Sequence, residues 1–438
     1  MTYKHMDEAS RDAGTSLREW LASNETIDRA VLTADLFGKL RVILWTRPGT
    51  DESLSVTLGQ RLEQTAGSWW SGDLWIAKPG EEDPLHEMAW RQALPDKTLP
   101  KRLRLLERHR NRGAWFTETR EPLWQTRGHE APEGPPIVVF YSFKGGLGRS
   151  TALTSFAIQR AQVGERVAVV DFDLDAPGVG VLLAADERGT TAQWGAVDFL
   201  LERDTHGPLS DYYHPCRRAD VAGRGELLVF PAGRLDPAYT GKLARVDFEP
   251  PSKAGRAGAV QSLLEAIRDT LKPDWILLDA RTGLSEPAGV LLSGIGHLHV
   301  LFGTSSEQSW LGLRVVIERL GPRDRRRDLP QADCILIHAM VPADTETAKR
   351  ARASFETRAR DEFSEVYFAD SPVDDNRFWD LRDLDTEDAP HVPVPLSYDL
   401  KLAHFGDVAD VVPTLVEGPE HVRLAERITG RFVEDRNE

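Results

Sequence analysis

The chain has 438 residues, of which 41% are hydrophobic and 28% are charged, and its formal net charge at pH 7 is −15. This length predicts more than one domain. No run approaches the roughly 18 apolar residues of a membrane span, and the first residues lack an apolar signal core, so we expect a cytoplasmic protein with no membrane attachment. The acidic balance argues against DNA as a partner.

The first 130 residues mix short helical and extended patterns. The predicted elements are helices over 15–33, 53–66 and 99–111 and strands over 40–46 and 73–77. They predict a small α+β or α/β domain. A stretch rich in Gly, Pro and charged residues, 127–136, interrupts all periodicity, so we place the domain boundary between residues 130 and 131.

This front domain is rich in tryptophan. Of the 12 tryptophans, those before residue 130 are Trp20, Trp45, Trp69, Trp70, Trp75, Trp90, Trp115 and Trp124. They fit either a surface that recognises a protein partner or a small core built from large residues. Because glycine and serine residues flank Trp69 and Trp70, we predict that these two side chains are the most exposed of the tryptophans. We expect an unidentified protein partner to bind through residues 1–130.

Basic residues cluster in two places, each better explained as a solvated face than as a DNA site. The clusters are Lys101, Arg102, Arg104, Arg108, Arg110 and Arg112, and Arg323, Arg325, Arg326 and Arg327.

Residues 131–438 change to apolar strands separated by helices. The predicted strands are 137–141, 166–171, 226–230, 274–279, 297–302, 332–338 and 391–394. The predicted helices are 149–163, 256–271, 307–320 and 346–363. This alternation predicts a doubly wound α/β domain with a mainly parallel sheet. Residues 183–225 and 370–390 match no clear element and are predicted to be loops or insertions.

A glycine-rich turn follows the first of these strands. From Ser142 to Thr151 the sequence reads Ser-Phe-Lys-Gly-Gly-Leu-Gly-Arg-Ser-Thr, and a helix begins at once. A strand, a glycine-rich turn and a helix N-terminus present backbone N–H groups to an anion such as a phosphate. Ser150 would then ligate Mg²⁺, and Arg149 would lie against the β- and γ-phosphates. A plain tight turn is the alternative.

Acidic residues end two further strands. Asp171 and Asp173 follow one strand, and Asp279 ends another, four residues before Gly283. Parallel strands bring their carboxyl ends to one edge of the sheet, where ligands of α/β proteins bind. The loop and the acids therefore predict one Mg-phosphate site.

These motifs, in this order, resemble the ParA/MinD-type P-loop ATPases of the SIMIBI class, whose deviant Walker A loop carries an additional lysine. The resemblance covers nearly all of 136–400 and is strongest to a subgroup whose loop reads Lys-Gly-Gly-x-Gly-Arg. It implies ATP and Mg²⁺ as cofactors and a homodimer on ATP binding. The implied nucleotide-binding residues are Lys144, Gly145, Gly146, Leu147, Gly148, Arg149, Ser150, Thr151 and Pro395.

The resemblance also implies a role for single residues. Lys144 would reach the phosphates of a partner subunit, and Thr151 would support the α-phosphate. Asp171 and Asp279 would hold Mg²⁺ through water, Asp173 would orient the attacking water, and Gly283 would sense the γ-phosphate through its backbone. Lys144, Arg149 and Asp173 are thus the implied catalytic residues. Pro395 belongs to a loop beside the nucleotide base.

Two departures from the family matter. Arg149 stands where the family has a lysine, so a larger planar guanidinium replaces a compact ammonium group in a tight phosphate-binding loop. We therefore expect hydrolysis to be slow or absent. Residues 338–342 offer no side-chain amide to read adenine, which leaves the choice between adenine and guanine open. The leading interpretation is an ATPase that acts as a dimerisation switch controlling a partner, in a bacterial signalling or defence system.

Two alternatives stay open. One is a nucleotide-binding signalling or structural module with little or no turnover. The other is a tyrosine autokinase, which would be expected to carry tyrosines near its C-terminus, whereas the last tyrosine is Tyr398.

Overall fold

The chain divides into two compact units, Met1–Asn111 and Arg112–Glu438. This division precedes the predicted 130/131 boundary because Trp115 and Trp124 pack against the hydrophobic core of the second unit. The computed structural model describes residues 5–35, 39–51, 53–77, 83–107, 114–115, 121–126, 133–202, 207–246, 248, 258–321, 331–342, 345–369 and 379–432.

The first unit contains one mixed sheet. Its helices are α1 (Met6–Ala22), α2 (Ser53–Ala66) and α3 (Pro84–Gln92), and its strands are β1 (Ile27–Ala34), β2 (Leu40–Thr46), β3 (Trp70–Ala77), β4 (Leu94–Pro95) and β5 (Leu103–Glu107). The strand order is β3-β2-β1-β5-β4. The pairs β2/β3 and β1/β5 are parallel, whereas β1/β2 and β4/β5 are antiparallel. One hydrophobic cluster joins residues of α1 and α2 to the sheet, and a smaller one joins residues of α3.

Sequence periodicity predicted some of these elements and missed others. The strands over 40–46 and 73–77 and the helix over 53–66 are confirmed. The helix over 15–33 is wrong beyond Ala22, because Ile27–Ala34 forms a mostly buried strand. The helix over 99–111 is wrong over Leu103–Glu107, which pairs in parallel with β1, and residues 108–111 lie outside the described residues. In both places sheet pairing between distant segments outweighs the local pattern.

The tryptophans of the first unit contribute to its packing. Trp20 is buried in the core, and the guanidinium of Arg29 lies 4.7 Å from the ring centroid of Trp45 and 4.8 Å from that of Trp90. Trp69 and Trp70 are half-buried against the core rather than fully exposed. These contacts fit the interpretation of a core built from large residues.

Two members of the first basic cluster have structural roles. A guanidinium nitrogen of Arg102 donates to the carbonyls of Asn24 and Ile27, and Arg104 donates to the carbonyl of Trp90. Residues 108–113 and 322–330, which contain the remaining arginines of the two clusters, lie outside the described residues.

The second unit contains one larger sheet. Its strands are β6 (Ile137–Ser142), β7 (Arg166–Phe172), β8 (His214–Cys216), β9 (Glu226–Phe230), β10 (Trp275–Ala280), β11 (Leu298–Gly303), β12 (Cys334–Val341) and β13 (Val394–Ser397). Its longer helices are α4 (Arg149–Gln162), α9 (Ala259–Leu271), α11 (Glu307–Leu320), α12 (Thr345–Val366) and α15 (Pro419–Gly430). Shorter ones are α5 (Val179–Leu182), α6 (Ala196–Glu202), α7 (Ala219–Ala222), α8 (Tyr239–Leu243), α10 (Glu286–Leu291), α13 (Leu400–Ala403) and α14 (Val412–Glu417).

The strand order is β13-β12-β11-β6-β10-β7-β9-β8. Every pairing is parallel except β8/β9. Two hydrophobic clusters lie on the two faces of the sheet, which confirms the doubly wound α/β fold. Six of the seven predicted strands and all four predicted helices are present, with ends shifted by up to three residues. The strand predicted over 391–394 forms at Val394–Ser397 and shares one residue with the prediction.

Two regions without a predicted element differ from expectation. Within 183–225 the chain forms α6, β8 and α7, which are too short for periodicity to reveal. Of 370–390, residues 370–378 lie outside the described part of the chain, and a short 3₁₀ helix, Leu381–Asp385, follows.

The last helix covers α4. Leu424, Ala425 and Ile428 of α15 are buried, and both α14 and α15 pack against α4. The hydroxyl of Ser155 on α4 donates to the carbonyl of Leu415 at 2.6 Å. Among the described residues, no helix is long and apolar enough to cross a membrane.

Candidate functional site

The carboxyl ends of three adjacent strands meet at one edge of the large sheet. Asp279 of β10 pairs directly with Asp171 of β7 and, on its other side, with Phe140 of β6. Neighbouring parallel strands in register direct paired side chains to the same face, so the two carboxylates lie side by side. The sheet therefore places the two predicted metal acids next to the strand that leads into the glycine-rich loop.

That loop connects β6 to α4. It runs from Phe143 to Gly148 and is anchored by Leu147, which is buried. Gly146 and Gly148 have φ angles of 74° and 79°, a region that residues with a Cβ seldom adopt. A Cβ at either position would meet no atom within 4 Å, so the loop is open on its outer side. No side chain caps the N-terminus of α4, which leaves its first N–H groups available to an anion.

Arg149, the first residue of α4, points inward. Its Nε donates to Asp279 at 2.6 Å and one Nη to Asp173 at 2.7 Å, and the side chain is 6% exposed. Its other nitrogen, Nη1, is buried and has no hydrogen-bond partner among the described residues. This nitrogen is therefore free to donate to an oxygen acceptor.

Ser150 and Asp171 complete the cluster. The Ser150 hydroxyl donates to the second oxygen of Asp279 at 2.7 Å. Asp171 is fully buried and accepts from the backbone N–H groups of Asp173 and Gly178 at 3.1 and 3.0 Å. The segment after β7 is thus folded around the Asp171 carboxylate.

Burial and neighbouring charges shift the pKa values of the acids and of Arg149. Burial raises the pKa of Asp171, and the adjacent Asp279 raises it further. Burial also raises the pKa of Asp279, which the Arg149 guanidinium partly offsets. Burial lowers the pKa of Arg149, but its contacts with Asp279 and Asp173 outweigh that effect and the net shift is upward. The cluster therefore favours a cation between the carboxylates.

The loop lysine differs from Arg149 in its surroundings. Lys144 is half-buried and makes no hydrogen bond or ion pair within the described part of the chain. Thr151 is half-buried in the first turn of α4. Gly145 is exposed, and a Cβ added to it would meet no atom within 4 Å, so the loop is open beside Lys144.

The stretch after β10 touches β6 through its backbone. Gly283 has a φ of 71°, and its carbonyl accepts from the Tyr141 hydroxyl at 3.2 Å. Arg281 in the same stretch forms an ion pair with Asp175 of the segment after β7. The two acid-bearing segments are therefore linked to each other.

The predicted base-side residue lies further along the sheet. Pro395 is on β13 and pairs with His338 of β12, and β12 and β11 separate it from β6. The His338 ring stacks on Phe355 with 4.1 Å between centroids, and burial lowers its pKa to about 4. Val341 is fully buried. The structure thus brings together the loop and the acids, with Pro395 three strands away from β6.

Sequence patterns missed one contact of the loop. The Phe143 ring lies against α11 at Gly312, where a Cβ would be 2.0 Å from the ring. A glycine inside the predicted helix over 307–320 was the available signal, since such a glycine often marks a close approach. The loop is consequently supported by α11 as well as by its own strand and helix.

The donor set suits Mg²⁺ better than a transition metal. No group of three or more His, Cys, Asp or Glu side chains among the described residues is arranged to hold a metal ion by itself. Mg²⁺ prefers oxygen ligands and usually keeps several waters, with one or two protein ligands and phosphate oxygens completing its shell. A serine hydroxyl beside two carboxylates fits that preference.

No protein-family model matches the chain, and no curated protein matches it. Solved structures do match. pNOB8 ParA bound to nonspecific DNA shares 16% identity at a TM-score of 0.43, over 68% of this chain and 99% of that one. The cell division ATPase MinD of Pyrococcus furiosus shares 17% identity at a TM-score of 0.41, over 67% and 98%.

A third match is the septum site-determining protein MinD of Pyrococcus horikoshii OT3, complexed with Mg-ADP. It shares 15% identity at a TM-score of 0.41, over 69% of this chain and 96% of that one. These values describe a structural match to ParA/MinD-type ATPases at low identity. What this chain binds must therefore be inferred from its own loop and acids.

Proposed function

We propose that this protein binds Mg-ATP at the loop 143–148 and acts as a nucleotide-dependent dimerisation switch. The observation that carries the proposal is the bond from the Ser150 hydroxyl, at the N-terminus of α4, to Asp279 at the end of β10. It joins a phosphate-binding loop to an acid that shares its strand position with Asp171. A plain tight turn would need neither acid.

Each group has a physical task in this proposal. The open N–H groups of the loop and of α4 bind the phosphates. Mg²⁺, when bound, would be held by Ser150 directly and by Asp171 and Asp279 through water, and it would neutralise phosphate charge. The unpaired Nη1 of Arg149 is the donor best suited to a phosphate oxygen. Asp173 would orient the attacking water once Arg149 releases it.

Hydrolysis depends on how Arg149 is held in the site. Arg149 holds the two carboxylates Asp279 and Asp173, so hydrolysis requires that it release at least Asp173. This observation favours the second candidate, a nucleotide-binding module with little turnover. Phosphate release by purified protein with Mg-ATP, alone and with candidate partners, separates the two. Sustained release supports the ATPase switch, and binding without release supports the module.

We expect Arg149→Lys to preserve or raise hydrolysis and Arg149→Ala to lose it. Lysine keeps the cation but makes fewer contacts with the acids, whereas alanine leaves buried carboxylates without a partner. Removal of one partner of a buried ion pair costs about 3–5 kcal/mol, so Arg149→Ala should also unfold at lower urea. Urea denaturation and phosphate release measure the two effects.

Arg360→Ala is the matched control, because Arg360 forms an exposed ion pair with Asp385 and such pairs contribute little. If Arg149→Lys abolishes an otherwise good turnover, the planar fork of arginine is specifically required and the slow-turnover explanation is wrong. Unchanged stability of Arg149→Ala would contradict the role of Arg149 as the counterion of the acids.

We expect ATP to be only modestly preferred over GTP. Val341 is buried and apolar, and residues 338–342 carry no side-chain amide that would read the base. A site without a matching hydrogen bond discriminates by about 10- to 200-fold. Competition binding with the two nucleotides measures the ratio. A preference above roughly a thousandfold would show that another group reads the base.

A further inference from the structure

A short segment on the N-terminal side of β6 is fastened to the second unit. Ala114 and Trp115 follow Arg112, the first residue of that unit. They lie against α10 and α11, far from them in sequence. These two residues are therefore held at a defined place in the second unit.

The first contacts are with the residues that precede and begin α10. The indole Nε1–H of Trp115 donates to the carbonyl of Ser285 at 2.7 Å. The backbone N–H of Ala114 donates to the Glu286 carboxylate at 3.3 Å. Ser285 is only two residues beyond Gly283, so the segment is bonded to the stretch that follows Asp279.

Arg319 of α11 holds the same segment from the other side. Its two terminal nitrogens donate to the carbonyls of Trp115 and Ala114 at 2.7 and 2.6 Å, and its Nε donates to that of Leu292 at 3.2 Å. Its guanidinium also lies 5.3 Å from the Trp115 ring centroid. Burial lowers the pKa of Arg319 to about 10. Burial of a charged guanidinium costs free energy unless its N–H groups are hydrogen-bonded. The bonds from Arg319 to the three carbonyls therefore favour this one arrangement of the segment.

Gly289 makes room for the indole. A Cβ at this position of α10 would lie 2.7 Å from Nε1 of Trp115, closer than side-chain atoms can approach. The fit between Gly289 and Trp115 is therefore a specific feature of the docked segment, and it can be disturbed without the loss of any hydrogen-bonding group.

The docked segment is connected to the loop by two routes. One is the stretch from Gly283, whose carbonyl accepts from Tyr141 of β6, to Ser285. The other is α11, which touches Phe143 of the loop at Gly312 and carries Arg319 farther along. Movement at either end of these routes alters contacts at the other.

We propose that Ala114 and Trp115 form a transmission contact, through which the nucleotide state at the loop controls how firmly this segment of the second unit is held. The proposal rests on the proposed function, because it requires a nucleotide at the loop. It assigns Trp115, Gly289 and Arg319 positioning roles and no contact with nucleotide. A ligand that fixes Gly283 tightens the contact, since Ser285 lies only two residues beyond it.

Hydrogen exchange of the peptide that contains Ala114 and Trp115 tests the proposal. Coupling energies between sites correspond to roughly 5- to 150-fold, so we expect Mg-bound non-hydrolysable ATP analogue to slow exchange in this peptide at least about fivefold. Asp279→Ala should show no such change. Calorimetry on the same samples reports whether nucleotide is bound.

Thermodynamic linkage between nucleotide binding and docking of the segment gives a second expected result. If bound nucleotide favours the docked state of the segment, undocking the segment must lower the affinity for nucleotide by the same factor. Gly289→Ala should therefore exchange quickly at Ala114 with or without nucleotide, and its affinity should fall at least about fivefold. Should Gly289→Ala fold poorly by circular dichroism, Trp115→Phe should show the same two effects, because it loses the bond to Ser285 and part of the ring that packs beside Arg319.

Gly134→Ala is the matched control. A Cβ at Gly134 would lie 2.4 Å from Nε1 of Trp124, so it disturbs a second docked tryptophan. Trp124 lies at the amino ends of the strands, opposite the loop. Its carbonyl accepts a hydrogen bond from His297, which in turn accepts one from the N–H of Ile137 at the start of β6. Nucleotide affinity and the response of Ala114 should remain as in the wild type.

Three outcomes overturn the inference, and calorimetry tells them apart. Nucleotide that binds by calorimetry but leaves exchange at Ala114 unchanged contradicts the transmission contact alone. So does a Gly289→Ala variant with wild-type affinity. No nucleotide binding at all contradicts the proposed function and the inference together.

Discussion

Ser150→Ala and Asp279→Ala should each weaken Mg-ATP binding by about a hundredfold or more, roughly 2.7 kcal/mol. Ser150 supplies the only hydroxyl bonded to Asp279 within the described site, and Asp279 is the buried acid that Arg149 also contacts. Loss of either group removes part of the Mg²⁺ shell. In Asp279→Ala the Arg149 cation also loses its closest counterion.

Asp274→Ala controls for the loss of a carboxylate from the same region. Asp274 immediately precedes β10 at its other end, is exposed, and accepts from the backbone N–H of Arg166. It should bind Mg-ATP like the wild type. Titration calorimetry of the three variants with Mg-ATP, and with ATP plus a chelator, measures the effect. Affinities equal to wild type in both site variants would remove the proposed metal site.

Lys144→Ala should bind Mg-ATP nearly normally and yet lose dimerisation and hydrolysis. Arg149 already lies at the base of the loop, so a second cation five residues earlier is not needed for binding within one chain. Lys144 is half-buried and without a partner in the described residues, so its charge is available to phosphates of a facing subunit. Charge supplied in trans raises hydrolysis by about three to five orders of magnitude.

Lys272→Ala is the matched control, because Lys272 is exposed in the turn between α9 and β10, at the edge of the sheet opposite the loop. Light scattering with and without a non-hydrolysable ATP analogue, together with phosphate release, compares the variants. A wild type that stays monomeric with nucleotide contradicts the dimer mechanism. So does a Lys144→Ala variant that dimerises and hydrolyses like the wild type. Neither result affects the nucleotide site itself.

The sequence predicted the second unit well because its signals are local. Continuous apolar runs such as 166–171 and 274–279 become buried parallel strands, and an acid at the end of each run lies at the carboxyl edge of the sheet. Where pairing is between distant segments, local patterns failed. Ile27–Ala34 and Leu103–Glu107 looked helical and are paired strands, because each is stabilised by the other.

The direction of Arg149 could not be predicted from the loop motif. The motif places a cation at this position, but its orientation depends on Asp173, just after β7, and on Asp279 of β10. The docking of Trp115 was likewise hidden, since its partners Ser285 and Arg319 are far along the chain. Sequence patterns report the elements that carry such residues, whereas their contacts depend on tertiary packing.

Calorimetric titration of the wild-type protein with Mg-ATP tests the central claim most directly. The proposed site predicts saturation at one nucleotide per chain, with binding strongly weakened when a chelator removes Mg²⁺. No saturable binding of ATP or GTP up to about 1 mM, the upper end of common enzyme affinities, would contradict the claim that the loop and the acids form a Mg-nucleotide site.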